Sequence, residues 1–104
     1  MFKFLFNRVP SISTNQLQKQ LSNDIKILDV RSPSEFRGGH IRQAKNVPLN
    51  TIKNHQEKDR EIYVICQSGV RSKKAAKILK QKGYNVINIH GGMNQWDGQI
   101  RGGK

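Results

Sequence analysis

The feature that most constrains this chain is a junction that occurs twice: a short strand-like run that gives way to a helix start. Residues 26–30 (Lys-Ile-Leu-Asp-Val) lead into Ser32-Pro33-Ser34-Glu35, and residues 61–65 (Glu-Ile-Tyr-Val-Ile) lead into Cys66 and a basic helical stretch. Residues 61–65 are apolar nearly throughout, as expected for a strand covered on both faces, and residues 26–30 read as a buried strand. Strands alternating with helices predict a parallel sheet with helices on both sides and right-handed crossovers. The other segments extend the pattern. Ser11-Ile12 reads as a short first strand, and Ser13 caps a helix with Leu17 and Leu21 four apart. Ser32, Pro33 and Glu35 form the signature of a helix start: an N-cap serine, proline at the first helical position and glutamate three residues after the cap. Gly38-Gly39 ends that helix. Residues 45–49 read as a strand broken by Pro48, followed by one helical turn over 50–54. A helix is expected over 72–82, with Ala75, Ile78 and Leu79 on one stripe and Gly83 as its stop. Residues 86–89 are a last strand, and Gly91-Gly92 opens a turn carrying Met93 and Trp96.

About a quarter of the 104 residues are Leu, Ile, Val or Phe, enough for one small core and too few residues for two. The chain is therefore read as a short N-terminal extension (1–10), one domain (11–101) and a tail (102–104). A single cysteine excludes an internal disulfide and a metal site built from several thiolates. The three histidines show no metal-ligand spacing, and no cofactor is expected. Phe2, Phe4, Leu5 and Phe6 fall short of the ~7–15 apolar residues of a secretory signal. No run reaches the ~18 residues of a membrane span. The expectation is a cytoplasmic protein whose first residues pack on the domain or lie on a partner. Nineteen Lys and Arg against seven Asp and Glu give a net charge of +12. Such a surface attracts anions, from oxyanions to nucleic acid, and it also serves simple solubility.

Cys66 sits where a parallel sheet places its ligands, at the carboxyl end of a strand and ahead of a helix. The helix start offers unpaired N–H groups, and Gly69 lets the chain curl so that they converge. Such a nest favours thiolate over thiol, and the cationic Arg71, with Lys73 or Lys74, acts in the same direction. The structural alternative is a small buried hydrophobe at a strand end. The polar Gln67-Ser68-Gly69 that follows favours the reactive thiol.

Cys66-Gln-Ser-Gly-Val-Arg71-Ser72 resembles the active-site loop of single-domain rhodaneses, the sulfurtransferases. Three further stretches match the same family in the same order: Asp29-Val-Arg31 with Glu35-Phe36, Gly39-His-Ile41 with Ala44 and Asn46-Val-Pro48, and Gly91-Gly92 with Trp96. The resemblance covers roughly residues 12–98. It implies an α/β fold, a single rhodanese-like domain with a five-stranded parallel sheet and helices on both faces. It also implies sulfane-sulfur transfer. The Cys66 thiolate would take the outer sulfur of a small anionic donor such as thiosulfate, become a persulfide, and pass that sulfur to a thiol or cyanide acceptor or to a protein sulfur-relay partner. Gln67, Ser68, Gly69, Val70, Arg71 and Ser72 would form the substrate loop, their amides the cradle and Arg71 the anion-binding side chain. Gln67 stands where thiosulfate-using members often carry a basic residue, which leaves Arg71 as the loop's cation. Four residues separate Cys66 from Arg71, one fewer than in related phosphatases, and this smaller cradle suits a sulfur atom better than a phosphoryl group.

Asp29 and Arg31 are supporting residues at the site edge. For Arg31 an ion pair with Glu35 or Asp29 that fixes the loop is the favoured reading over a direct electrostatic role. His40 is read as structural, His55 as exposed, and His90 as a residue near the site without an assigned role; Trp96 and Met93 are read as core. A second functional class stands beside the enzyme: a non-catalytic sulfur carrier, or a basic module that holds RNA or an acidic protein through Arg71, Lys73, Lys74, Lys77, Lys80 and Lys82.

Overall fold

A computed structural model describes residues 8–56 and 61–104. Phe2, Phe4, Leu5 and Phe6, with the packing expected of them, lie outside the described residues. The elements in chain order are β1 (Ser11–Ile12), α1 (Thr14–Gln20), β2 (Lys26–Asp29), α2 (Pro33–Arg37), β3 (Ala44–Asn46), a 3-10 turn (Leu49–Asn54), β4 (Glu61–Ile65), α3 (Val70–Gln81), β5 (Asn85–Ile89) and α4 (Gly92–Gln95). The five strands form one parallel sheet in the order β1-β5-β4-β2-β3.

Local sequence sets the helix starts. Ser13 and Gln16 close a reciprocal capping box on α1, and Ser32 and Glu35 close one on α2 with Pro33 in the first turn. In each, two donors that would otherwise lack partners are satisfied within four residues. The sheet then separates two apolar layers. Leu28, Val30, Ile62, Val64 and Val86 face α3 (Ala75, Ala76, Leu79) and Ile52 of the 3-10 turn. Ile27, Tyr63, Ile65 and Ile89 face Leu17 and Ile41, with Met93 and Trp96 packed against them. Neighbouring strand residues thus serve opposite layers, which is why β4 is apolar at nearly every position. Each side chain buried this way contributes about 1.5–3 kcal/mol.

Three expectations shift. The strand expected over 45–49 is Ala44–Asn46, because the Asn46 amide caps it by donating to the carbonyls of Asp29 (3.0 Å) and Arg31 (2.9 Å). The helix expected from Ser72 begins at Val70, because Gly69 itself is the N-cap, at φ +105°. Arg71 and Ser72 therefore belong to the first turn of α3. His55, expected in solvent, is half-buried beside Tyr84 (ring centroids 6.1 Å apart). No helix among the described residues is long and apolar enough to cross a membrane.

Register positions the site. Asp29 of β2 pairs with Ile65 of β4, so both central strands end at the same level. The next residues, Val30 and Cys66, emerge side by side at the carboxyl edge, with Val30 N–H donating to Ile65 O (3.0 Å).

Candidate active site

The chain leaves β4 at Cys66, turns through Gln67, Ser68 and Gly69, and enters α3. Gly69 carries the turn, since a left-handed φ strains any residue with a Cβ. A Cβ there would also stand 3.2 Å from Gly91 N. The Gly69 N–H points inward and donates to Cys66 Sγ at 3.0 Å. The thiol reaches Ser72 Oγ at 3.4 Å, and that hydroxyl donates to Gly69 O at 3.1 Å. Ser72 can therefore turn its proton onto the sulfur once the sulfur is ionised.

Two opposing influences act on the Cys66 pKa. Burial, the largest single influence, raises it. The Ser72 hydroxyl and the amides of Ser72, Gly69 and Ser68 lower it and together prevail, so the thiol lies below its ordinary value. Of the amides expected to form the cradle, these three act on the sulfur. The Val70 side chain points to solvent, 64% exposed. Cys66 is itself 0% exposed and closes the floor of the loop.

The loop is held from three sides. From β5 and α4, Met93 N–H donates to Cys66 O (2.8 Å) and Asn94 N–H to Gln67 O (2.9 Å), while Gln67 Nε2 donates to Asn94 Oδ1 (2.7 Å). That approach needs Gly92: its Cβ would lie 2.3 Å from Cys66 O and 2.7 Å from Gln67 O. The sequence shows the Gly91-Gly92 pair but not this contact.

From β2, Arg31 forks onto Asp29. Nη2 and Nε donate to Oδ2 at 2.8 and 3.1 Å, and Nε also reaches Oδ1 at 3.0 Å. Its remaining donors bind Gly39 O (2.8 Å) and Gln67 Oε1 (3.1 Å). Of the two partners expected for Arg31, the fold selects Asp29.

From α2, Glu35 takes Arg71. Nη1 and Nη2 donate to Oε1 and Oε2 at 2.6 and 2.9 Å. The guanidinium expected to bind a substrate anion is thus paired here with a carboxylate of the protein. The Arg71 hydrogen bond is the main cause that brings the Glu35 pKa from 4.5 down to about 2, and the same bond raises that of Arg71. Glu35 is the site residue that sequence reading missed. Its position in the capping box was visible; its partner, 36 residues away, was not.

A cleft of about 390 Å³ opens beside the loop, lined by Arg31, Glu35 and Gln67 and by the apolar Met93, Trp96 and Ile100. Met93 and Trp96 thus serve as wall as well as core. His40 is buried, its Nδ1 2.7 Å from Phe36 O and its ring stacked on Phe36 at 3.6 Å, a structural role. His90 is exposed.

The Rhodanese-like domain profile matches residues 13–99. The chain is 41% identical over 83 residues to YqhL of Bacillus subtilis (strain 168), covering 76% of this chain and 66% of that one. It covers 52% of a second Bacillus subtilis relative, YrkF, so it spans about half to two thirds of these longer proteins. A sulfurtransferase of Allochromatium vinosum is 34% identical over 94 residues, covering 85% of this chain and 88% of that one. Among solved structures, a rhodanese-like domain protein from Staphylococcus aureus superposes with a TM-score of 0.84 at 34% identity, covering 92% of this chain and all of that one.

Proposed function

The chain belongs to the rhodanese-like domain family, and on that premise we propose that it is a sulfurtransferase whose sulfur is carried on Cys66. The observation that carries this reading is the polar surround of a single buried thiol: the Gly69 amide donates to Cys66 Sγ at 3.0 Å, and the Ser72 hydroxyl, which accepts from the thiol at 3.4 Å, can turn its proton onto the thiolate. A thiolate is the nucleophile that sulfane chemistry needs, and a persulfide is again an anion that the same donors stabilise.

The reaction runs in two halves. In the first, the Cys66 thiolate attacks the outer sulfur of a donor. With thiosulfate the S–S bond breaks and sulfite departs with its electron pair, leaving the Cys66 persulfide. In the second, an acceptor thiolate or cyanide attacks the outer sulfur and the Cys66 thiolate is restored. Ser72 follows the charge: it accepts from the neutral thiol and donates to the anion. The thiol is enclosed, so a donor reaches the sulfur only when the groups around it move. Gln67, Ser68, Gly69, Val70, Arg71 and Ser72 form the loop in this reading, and Asp29 and Arg31 hold it in place. The domain spans 11–101, the setting is cytoplasmic, and a protein partner in a sulfur relay is a further acceptor class.

Incubation with thiosulfate or another sulfane donor, followed by intact-mass and peptide analysis, tests the reading. One added sulfur on Cys66, lost on treatment with cyanide or excess thiol, is expected. No adduct from any sulfane donor overturns it.

A further inference from the structure

The chain carries a net charge of +12, yet the charged side chains lining the cleft beside Cys66 are, among the described residues, one cation and one anion, Arg31 and Glu35. Each is engaged: Arg31 by the buried Asp29, Glu35 by Arg71. The four charges cancel. A site shaped to concentrate a small dianion would leave a cation unpaired. Here the cation of the loop, Arg71, has both terminal nitrogens on Glu35 at 2.6 and 2.9 Å. Uncharged polar groups of Ser34 and Gln67 and apolar surface from Met93, Trp96 and Ile100 complete the cleft, with a volume suited to a small organic molecule.

Building on the sulfur-transfer reading, we propose that Glu35 sets donor specificity: by occupying Arg71 it makes the site select an organic persulfide of low charge over thiosulfate. The loading step is then attack of the Cys66 thiolate on the terminal sulfur of R–S–SH. The new S–S bond forms as the old one breaks, the R–S⁻ thiolate leaves with the electron pair, and the proton of the terminal sulfur stays on it or passes to water. No oxidant or reductant is required. Glu35 acts on the donor through Arg71 and is a specificity-determining residue, not a nucleophile or base.

Glu35→Gln isolates the charge. Its amide oxygen still accepts from the Ser32 N–H, which Glu35 Oε1 now does at 2.9 Å, so the capping box of α2 is retained. Initial rates of Cys66 loading with thiosulfate and with cysteine persulfide, read by mass, give the two kcat/KM values. The wild type is expected to favour cysteine persulfide. Glu35→Gln is expected to raise kcat/KM for thiosulfate about threefold to tenfold, through KM rather than kcat, as a unit charge is uncovered near a dianion at the protein surface. A gain of this kind does not arise from damage to the fold. Arg71→Gln, which leaves Glu35 unpaired, is expected to lower the thiosulfate value more than the persulfide value. It provides the test if Glu35→Gln fails to fold. A thiosulfate kcat/KM that stays level or falls in Glu35→Gln, or an equal loss for both donors in Arg71→Gln, overturns the assignment. Loading of the wild type by neither donor overturns instead the sulfur-transfer reading beneath it.

Discussion

The Asp29–Arg31 and Glu35–Arg71 pairs both border the cleft beside Cys66, but water reaches only one of them. The first is 0% and 4% exposed, the second 35% and 36%. Geometry is close in both, with shortest N–O distances of 2.8 and 2.6 Å. Burial makes the difference. Removing one partner of a buried pair strands a charge in a poor solvent, whereas a half-exposed charge that loses its partner is taken up by water. Arg31 also spends its other donors on Gly39 and Gln67, tying α2 and the thiol loop to the end of β2. The buried pair therefore belongs to the framework. The exposed pair costs little to rearrange and is the one placed to respond to a ligand.

The largest expected effect tests the framework side. Asp29→Ala should destabilise the domain by about 3–5 kcal/mol, read from urea denaturation midpoints, because Arg31 loses its counter-charge in the interior. A loss below about 1 kcal/mol would place both pairs in the same class and remove the distinction. Next comes the opposite wall of the loop. Gly92→Ala brings a methyl group to 2.3 Å from Cys66 O at a φ of +56°, and should cost about 1–3 kcal/mol. It should also reduce sulfur loading beyond what unfolding explains, since the Met93 and Asn94 hydrogen bonds to the loop must lengthen.

A smaller effect is expected at the sulfur. Ser72→Ala removes the hydroxyl that does most to lower the Cys66 pKa, while burial still raises it. The midpoint of the pH dependence of alkylation should rise. An unmoved midpoint would assign the lowering to the main-chain amides alone.

The smallest effect belongs to the exposed pair. The Glu35 pKa is depressed in the fold, from 4.5 to about 2, so its contribution is fully present above pH 4.5 and lost as pH falls toward 2. Solvent screening keeps that contribution below about 1 kcal/mol. The difference in stability between wild type and Glu35→Gln, followed by denaturation from pH 6 to pH 2, should be small at the upper end and vanish at the lower. A constant difference would separate it from the carboxylate's ionisation.

What sequence alone reveals follows how far apart in the chain the interacting residues lie. The Ser13 cap and the Ser32–Glu35 capping box close within four residues and could be read directly, while the reciprocal Gln16 bond to Ser13 came from the structure. The apolar runs ending at Val30 and Ile65 and the glycine in the Cys66 loop were legible for the same reason. Helix α3 begins two residues early because its cap is a glycine acting through its backbone, with no side chain to announce it. Arg31 had two plausible partners in sequence; only the fold, which buries it against β2, decides between them. The Glu35–Arg71 contact and the approach of Gly92 to Cys66 O join segments far apart in the chain. No local pattern encodes either, and these are the contacts that bear on specificity and on the posture of the loop.

Sulfur transfer on Cys66 rests on main-chain amides and the Ser72 hydroxyl favouring its thiolate against the cost of burial. Titration of the single cysteine by thiolate absorbance in the native protein measures this directly. The expected midpoint lies below the ordinary thiol value of about 8.5, with the denatured chain returning to it. A native midpoint at or above that value would contradict the claim.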